Sequence, residues 1–246
     1  MRHDYNNVEG WDMKNENRYM TKEQIIDNFM GIEKEYGARY VYLCIKRFME
    51  SGMIAKVDND LYKVVNKKSY LMDREYDGTK AIIDLLFSHY PFLDFVVYNI
   101  TYLNEWLNQT IGKGTFFIEA PKEAIVSIYE KLIVAGYNNI LINPKVKELK
   151  KYVSGNIIVL KPLFSRSPII KKTHSLTIEK IIVDLYCDDI FELFFAKSEL
   201  IDVYRQIFSE YAIDEVSLNA YLSRRNIKDR FYDFLEKNDL RKLMND

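Results

Sequence analysis

Four short apolar runs, separated by amphipathic segments, constrain the fold of this chain more than any other feature. They are rich in β-branched and aromatic residues, which is typical of buried strands. The runs are "FVVYNI" (95–100), "GTFFIEA" (114–120), "NILIN" (139–143) and "NIIVLKPL" (156–163). Because helix-like segments lie between them, the sequence predicts an α/β layer around a central sheet.

The chain after Leu176 predicts helices only. Its helical segments are "TIEKIIVDLY" (177–186), "FELFFAKSELIDVYRQIFSEY" (191–211), "EVSLNAYLSRR" (215–225) and "IKDRFYDFLEK" (227–237). Together with the α/β layer they predict one mixed α/β domain over residues 77–246, with a helical C-terminal part.

The first of these helices is predicted to be amphipathic. Its apolar stripe, which we expect to be buried, consists of Ile178, Ile181, Ile182 and Leu185. Lys180 and Asp184 are four residues apart on the opposite side, which predicts an exposed ion pair with Glu179 on its flank.

The chain before residue 69 predicts a winged helix-turn-helix domain. A capping box at Thr21 and Gln24 begins a short helix, "GIEKEYG" predicts a second one, and "ARYVYLCIKRFMES" predicts a longer third helix that ends at Gly52. Two β-rich runs then flank the turn-forming tract "DND" (58–60). We therefore predict a winged helix over residues 21–68, preceded by a mobile tail (1–20) and followed by a linker (69–76).

The third helix of this domain predicts a DNA contact. Its core face is expected to hold Val41, Cys44, Ile45, Phe48 and Met49. The opposite face and the flanks of the hairpin tip supply the predicted DNA-binding residues, which are Arg39, Tyr42, Lys46, Arg47, Lys56 and Lys63. Two further features favour an alternative to DNA binding. Asp58 and Asp60 at the hairpin tip repel phosphate, and exposed Tyr42 and Leu43 also suit a contact with another protein. A non-DNA-binding interaction module is therefore a second interpretation.

Composition narrows the function classes. The net charge of −1 argues against a chain dominated by nucleic-acid binding, although the local excess of basic residues falls on the predicted winged helix. The two cysteines are far apart and form no C-x-x-C pair, so neither a disulfide framework nor a cysteine zinc site is expected. The N-terminus lacks an apolar signal region, and apolar runs stay short of the roughly 18–20 residues of a membrane span. A cytoplasmic protein without a membrane partner is predicted.

The sequence offers weak signals for catalysis. "IGKGT" (111–115) precedes a strand and lacks the first glycine of a phosphate-binding loop, so a turn is expected there. Glu119 and Lys122 do not alternate along a strand as a metal-dependent nuclease site would require, and we expect Glu119 to be solvated at the strand end. His174, next to Lys171 and Lys172, is expected on a solvated loop. The predictions are no catalytic residue, metal or cofactor, and the alternative is a nuclease or nucleotidyltransferase built on the α/β domain.

Three stretches in a fixed order carry a family resemblance. They are "FMESGMIAKVDNDLYKV" (48–64), "PLFSRSPIIKK" followed by "SLTIEKIIVDLY" (162–186), and "YLSRRN" (221–226). The second leads into a helix of the Glu-Lys-x-x-Val-Asp-Leu type, matched by Glu179, Lys180, Val183, Asp184 and Leu185. In these stretches the chain resembles the AbiEi family, the antitoxins of bacterial type IV toxin–antitoxin (abortive infection) systems.

This resemblance implies a winged-helix repressor of its own promoter, joined to an antitoxin domain that opposes a nucleotidyltransferase toxin without chemistry of its own. The antitoxin or anion-contact surface is expected at Lys171, Lys172, Glu179, Asp184, Arg224 and Arg225. Wings of the family usually carry a basic residue and a glycine before the aromatic residue, whereas Asn59 and Asp60 stand here. The helix is therefore expected to contact DNA more than the wing does.

Overall fold

The computed structural model of the protein describes residues 19–29, 38–65, 67–72, 78–112, 114–152 and 156–244. The predicted mixed α/β class is confirmed. The elements of the N-terminal unit are β1 (Tyr19–Thr21), α1 (Lys22–Phe29), α2 (Ala38–Glu50), β2 (Ile54–Asp58) and β3 (Leu61–Val64). Its strands form a sheet of order β1-β3-β2, in which β3 pairs antiparallel with both neighbours.

Local signals in the N-terminal unit work as the sequence predicts. The backbone N–H of Thr21 donates to Gln24 Oε1 at 2.9 Å, and the N–H of Gln24 donates to Thr21 Oγ1 at 3.3 Å, which completes the capping box. Gly52 has a φ of 75°, and a Cβ there would lie 1.7 Å from the carbonyl oxygen of Lys67. Glycine is therefore required at this position for both conformation and space.

Two predicted features of the N-terminal unit, its second helix and its mobile tail, involve residues that the structure does not fully describe. The helix predicted at 31–37 and the predicted tail up to residue 18 lie outside the described residues. The winged-helix assignment therefore stays a prediction. Tyr19 and Met20, however, belong to β1, and Met20 is buried in the core of the unit, so these two residues are not part of a mobile tail.

The central sheet of the larger unit has the order β4-β5-β7-β6. All four apolar runs form its strands, with β4 antiparallel to β5 and with β5, β7 and β6 parallel. The elements are α3 (Thr79–His89), β4 (Val96–Asn99), β5 (Thr115–Ala120), α4 (Ile125–Val134), β6 (Ile140–Ile142), α5 (Val146–Leu149) and β7 (Ile157–Pro162).

The two faces of this sheet pack into different cores. Side chains alternate along β5 and β7, so Ile118 and Leu160 pack with α3 and α4 on one face. Phe117 and Val159 pack on the other face, against the helical C-terminal part of the chain. Glu119 and Lys161, which are two residues further along these strands, therefore point toward the C-terminal helices as well.

The C-terminal part is helical after a short hairpin, as predicted. The hairpin consists of β8 (Ile169–Ile170) and β9 (Ser175–Leu176), and 3₁₀ turns occupy residues 189–193 and 197–199. The helix predicted over 191–211 begins only at Leu200. The helices are α6 (Ile178–Cys187), α7 (Leu200–Glu210), α8 (Glu215–Arg224) and α9 (Lys228–Lys237).

The segment after β3 is packed against the larger unit. The Lys67 ammonium group donates to the carbonyl oxygens of Phe208 at 2.7 Å and Leu243 at 2.8 Å. The backbone of Lys68 pairs with the chain around Tyr211 in an isolated bridge, and Tyr70 is buried against Trp106 and Tyr211. The first residues of the predicted linker are thus part of the folded core, while residues 73–77 lie outside the described residues.

None of the helices in the described part of the chain combines the length and apolar character that a bilayer crossing requires.

Candidate functional site

The helix α6, which carries the residues of the family resemblance, is buried on all sides. Its predicted apolar stripe is confirmed, but every residue from Ile178 to Leu185 is buried. Lys180 is 1% exposed and Asp184 is 4% exposed, so the prediction of an exposed ion pair is wrong. The reason is that α6 lies between the sheet and the other C-terminal helices, where charged partners from distant parts of the chain meet its polar side.

Glu119 on β5 is at the centre of this buried charge network. Lys180 Nζ lies 2.8 Å from its Oε2 atom, Lys161 Nζ lies 3.3 Å from Oε1, and the Tyr98 hydroxyl donates to Oε1 at 2.9 Å. Glu119 is 1% exposed, so the expectation of a solvated strand end is wrong. Its partners come from a neighbouring strand, where Lys161 is its register partner, and from α6.

Asp184 joins the network to α8. Lys180 Nζ lies 2.5 Å from Asp184 Oδ2, while Tyr221 and Arg225 donate to Oδ1 at 2.8 and 3.0 Å. The guanidinium group of Arg225 also lies 4.4 Å from the ring centre of Phe164, at cation–π distance. The structure thus brings together Asp184 and Arg225, two of the predicted anion-contact residues, but in an internal ion pair.

Neighbouring charges determine the protonation states of Glu119, Lys161 and Lys180. Burial alone would raise the pKa of Glu119, but the charges of Lys161 and Lys180 lower it to about 2. Burial would lower the pKa of Lys180, but Asp184 and Glu119 raise it above its ordinary value, and Glu119 and Asp188 do the same for Lys161. These three groups are charged at neutral pH, which makes them poor general acids or bases there.

The remaining predicted anion-contact residues have different surroundings. Lys171 pairs with Asp94 at 2.6 Å, Lys172 is exposed, and Arg224 Nε donates to Ser165 Oγ at 2.5 Å. Glu179 is buried and accepts from the backbone N–H of Asp214 at 2.9 Å, so it is not a surface residue. Lys171, Lys172 and Arg224 are exposed, and an antitoxin or anion contact through them stays a prediction.

His174 does not lie on a solvated loop as expected. It is buried, its ring stacks on Phe95 at a centroid distance of 3.9 Å, and its Nδ1 atom lies 3.1 Å from the Phe95 carbonyl oxygen. Among the described residues no His, Cys, Asp and Glu side chains form a group of three or more that could hold a metal ion.

The two faces of α2 are as predicted. Val41 and Ile45 are buried, while the predicted outer face is exposed along its length: Arg39, Tyr42, Leu43, Lys46, Arg47 and Glu50. Arg39, Leu43 and Arg47 follow one another at four-residue spacing, so they form one stripe along the helix. We call these three residues the basic stripe.

Three other predicted DNA-binding residues lie beside a cleft. Tyr42, Lys46 and Lys56 line a cleft of about 540 Å³ between α2, the hairpin and the chain segments 177–179 and 212–214. Lys63 is buried, with its ammonium group 5.8 Å from the ring centre of Tyr19, and its contact with DNA stays a prediction. The cause of this burial is β1, which makes β3 the central strand of the small sheet.

Sequence reasoning assigned no role to three residues of the charge network, namely Tyr98, Lys161 and Tyr221, and it placed Glu119 in solvent. A signal was present, because Glu119 and Lys161 are each a single charged residue near the end of an otherwise apolar strand. Burying such a charge is costly unless it is paired. The pairing itself depends on strand order, which the sequence does not state.

The chain belongs to a family of proteins of unknown function, DUF6577, whose family model matches residues 40–241. The match begins in α2 and includes the hairpin, the central sheet and all four C-terminal helices. A comparison with curated proteins finds no match.

Proposed function

We propose that this member of the DUF6577 family is a non-catalytic cytoplasmic regulator, which binds DNA at its own promoter and acts as an antitoxin against a nucleotidyltransferase toxin. The antitoxin part rests on the resemblance to the AbiEi family in α6 and its surroundings. The DNA-binding part rests on the N-terminal unit.

The observation that carries DNA binding is the basic stripe. Arg39 and Arg47 are exposed and lie outside the cleft, two helical turns apart on one side of α2. Arginine suits both phosphate and guanine contacts because its planar guanidinium group donates in pairs. The hairpin tip carries Asp58 and Asp60 and supplies no comparable positive charge, so the helix is the contacting element.

The charge network supports a role without catalysis. The residues of the family resemblance in α6 are buried, and the pKa values of Glu119 and Lys180 are shifted away from neutrality. Groups with such pKa values hold a scaffold better than they transfer protons. Opposition to a toxin would then come from the surface of the protein or from repression.

A second candidate is a protein contact through the same helix. Tyr42 is 62% exposed and Leu43 is 45% exposed, so two large apolar side chains lie next to each other on the exposed face of α2. Under this interpretation the protein would bind a partner protein instead of DNA through α2.

The test is a double substitution, Arg39→Ala with Arg47→Ala, in the full chain. We expect it to weaken binding to the promoter duplex and to reduce the slope of log K against log salt by about two, since each arginine neutralises about one phosphate. The measurement is fluorescence anisotropy at several salt concentrations, together with rescue of cells that express a candidate nucleotidyltransferase toxin from the same genome. Rescue from a separate inducible promoter should persist.

The matched control is Lys171→Ala with Lys172→Ala, which removes two exposed positive charges elsewhere. It should leave promoter affinity and its salt slope unchanged. If the wild-type protein shows no preference for its promoter over random duplex, the repressor role is wrong and the protein-contact candidate gains support. If the wild-type protein fails to rescue cells from that toxin, the antitoxin role is wrong.

A further inference from the structure

A cavity of about 400 Å³ lies beside the carboxyl ends of two neighbouring parallel strands. Its wall includes Asn143 and Pro144, which directly follow β6, and Lys161 near the end of β7. The wall also includes residues 187–190, where α6 ends. In open α/β sheets ligands bind outside the carboxyl ends of the strands, and this volume is within the range of small-molecule sites. The cavity is therefore a candidate ligand site.

The wall of this cavity carries charges of both signs. Lys145 and Lys161 supply positive charge, and Asp188 and Asp189 supply negative charge. Lys145 and Asp189 are exposed, whereas the side chains of Lys161 and Asp188 are 14% and 29% exposed. Because charged ligand groups bind best to charged partners of opposite sign, this wall suits a ligand that carries both an anionic and a cationic group.

Lys161 and Asp188 can bind a ligand while they remain paired with each other. The Lys161 Nζ atom lies 2.6 Å from Asp188 Oδ2 and 3.3 Å from Glu119 Oε1. A lysine ammonium group has three N–H donors, so it can bind both carboxylates and still donate to an anionic group. A carboxylate has about four acceptor sites, so Asp188 can likewise accept from a cationic group. Ligand binding therefore does not require the charge network to break.

Part of the same wall is apolar. Pro144, Val146, Val159 and Ile190 also line the cavity. Val146 is the first residue of α5 and Val159 belongs to β7, so the backbone of both is held by secondary structure. An aliphatic group that packs against this surface is stabilised because its apolar area leaves water. The wall therefore suits a ligand that combines charged groups of both signs with an aliphatic chain.

We propose that this cavity binds a free aliphatic amino acid. The α-carboxylate binds Lys145 and Lys161, the α-ammonium group binds Asp188 and Asp189, and the side chain packs against the apolar part of the wall. An amino acid carries its two charged groups on one carbon atom, which matches a wall where Lys161 and Asp188 are in direct contact. The site shares no residue with the basic stripe of α2, so it is independent of the function proposed above.

The test compares probes that share one aliphatic chain, with the full chain of the protein as the receptor. L-leucine carries both charged groups, leucinamide lacks the carboxylate, and 4-methylpentanoate lacks the ammonium group. We expect L-leucine to bind, and each of the other two probes to bind at least about tenfold more weakly, which corresponds to about 1.4 kcal/mol. Glycine, which lacks the aliphatic side chain, should also bind at least about tenfold more weakly. Isothermal titration calorimetry measures the tighter affinities, and saturation-transfer difference NMR measures the weaker ones.

Four outcomes would overturn the proposal. The first is that neither L-leucine nor L-valine binds at millimolar concentration. The second is equal affinity for 4-methylpentanoate and L-leucine, which would indicate an anion site. The third is equal affinity for leucinamide and L-leucine, which would indicate a cation site. The fourth is equal affinity for glycine and L-leucine, which would show that the apolar part of the wall does not contact the ligand.

Substitution of two exposed charged residues tests the position and the orientation of the ligand. Lys145→Gln should weaken L-leucine binding by about tenfold but should not change the affinity for leucinamide, which has no carboxylate. Asp189→Asn should weaken L-leucine binding equally but should not change the affinity for 4-methylpentanoate, which has no ammonium group. The matched controls are Lys147→Gln and Asp202→Asn, which change exposed residues outside the wall and should bind like the wild type. Melting temperatures check folding. If both wall variants bind L-leucine like the wild type, the ligand lies elsewhere and the proposal is wrong.

Discussion

Asp184 is the residue at which the internal and the exposed interpretations of α6 differ most. An exposed pair with Lys180 would contribute at most about 1 kcal/mol to the free energy of unfolding. The observed carboxylate is 4% exposed and accepts from Lys180, Tyr221 and Arg225. Loss of its charge would leave two cations with a neutral partner in a site that excludes water.

We therefore expect Asp184→Asn to lower the free energy of unfolding by about 3–5 kcal/mol, the range for breaking a buried ion pair from one side. Urea denaturation followed by circular dichroism measures this change. The control is Asp202→Asn, which breaks the exposed pair with Arg205 and should cost less than about 1 kcal/mol. Equal small losses in the two variants would show that the network contributes little to stability.

For α6, the sequence predicts which apolar residues are buried but not which charged residues are buried. Helical periodicity correctly identified Ile178, Ile181, Ile182 and Leu185 as buried. Helical periodicity placed Lys180 and Asp184 on the solvent-exposed face, because a helical-wheel projection assumes that one face of the helix contacts water. The partners that make their burial possible, Glu119 and Arg225, are 61 positions before Lys180 and 41 positions after Asp184, and only the packed sheet and α8 bring them together.

At the scale of elements, Glu179 links α6 to the N-terminus of α8. Its carboxylate accepts from the backbone N–H of Asp214, whose own side chain caps α8 by accepting from the Ser217 N–H at 3.0 Å. Burial raises the pKa of Glu179 from 4.5 to about 7, and burial also raises the pKa of Asp214. The folded protein therefore retains protons that the unfolded chain releases between these values.

This shift predicts a pH dependence with a definite sign. The contribution of Glu179 to stability is fully present below pH 4.5 and is lost as the pH rises toward 7. Glu179→Gln keeps the acceptor without the charge, so we expect the variant to match wild type near pH 5. It should be more stable than wild type at pH 8, by at most about 3 kcal/mol. Urea denaturation at both pH values measures the difference.

Glu236→Gln on the exposed side of α9 is the control for this comparison, and its stability should follow wild type at both pH values. A Glu179→Gln variant that is less stable than wild type at pH 8 would mean that the ionised carboxylate stabilises the link between α6 and α8. The pKa of Asp214 is also raised, so part of the wild-type pH dependence should remain in the variant.

Most helices and strands could be predicted from the sequence, because their apolar residues follow a clear pattern. The four strands of the central sheet are short apolar runs rich in β-branched and aromatic residues, and each was predicted. The strand β1 has three residues and no pattern of its own, and it exists because β3 offers it an unpaired edge. The candidate DNA-binding residues show the same limit. Helical periodicity correctly predicted the exposed face of α2, whereas the burial of Lys63 depends on the pairing of β3 with β1.

At the scale of the whole molecule, the N-terminal unit is held against the larger unit by more than a linker. The sequence predicted a linker over residues 69–76, because the stretch "NKKSYLMDREYDG" (66–78) is polar and charged. The structure instead uses the ammonium group of Lys67 to satisfy two backbone carbonyls near the ends of α7 and of the chain. Tyr70 then enters the core of the larger unit.

This arrangement predicts that adjacent lysines contribute very differently. Lys67→Ala should lower the free energy of unfolding by about 2 kcal/mol, because two partly buried carbonyls lose a charged donor. Lys68→Ala removes only a pair with Glu210 in which the lysine side chain is 72% exposed, so its cost should stay under about 1 kcal/mol. Urea denaturation gives both values, and limited proteolysis shows whether the N-terminal unit of Lys67→Ala is cleaved before the larger unit. If the two variants are equally stable and resist protease alike, the attachment of the units depends on the packing of β2 and Tyr70 and not on Lys67.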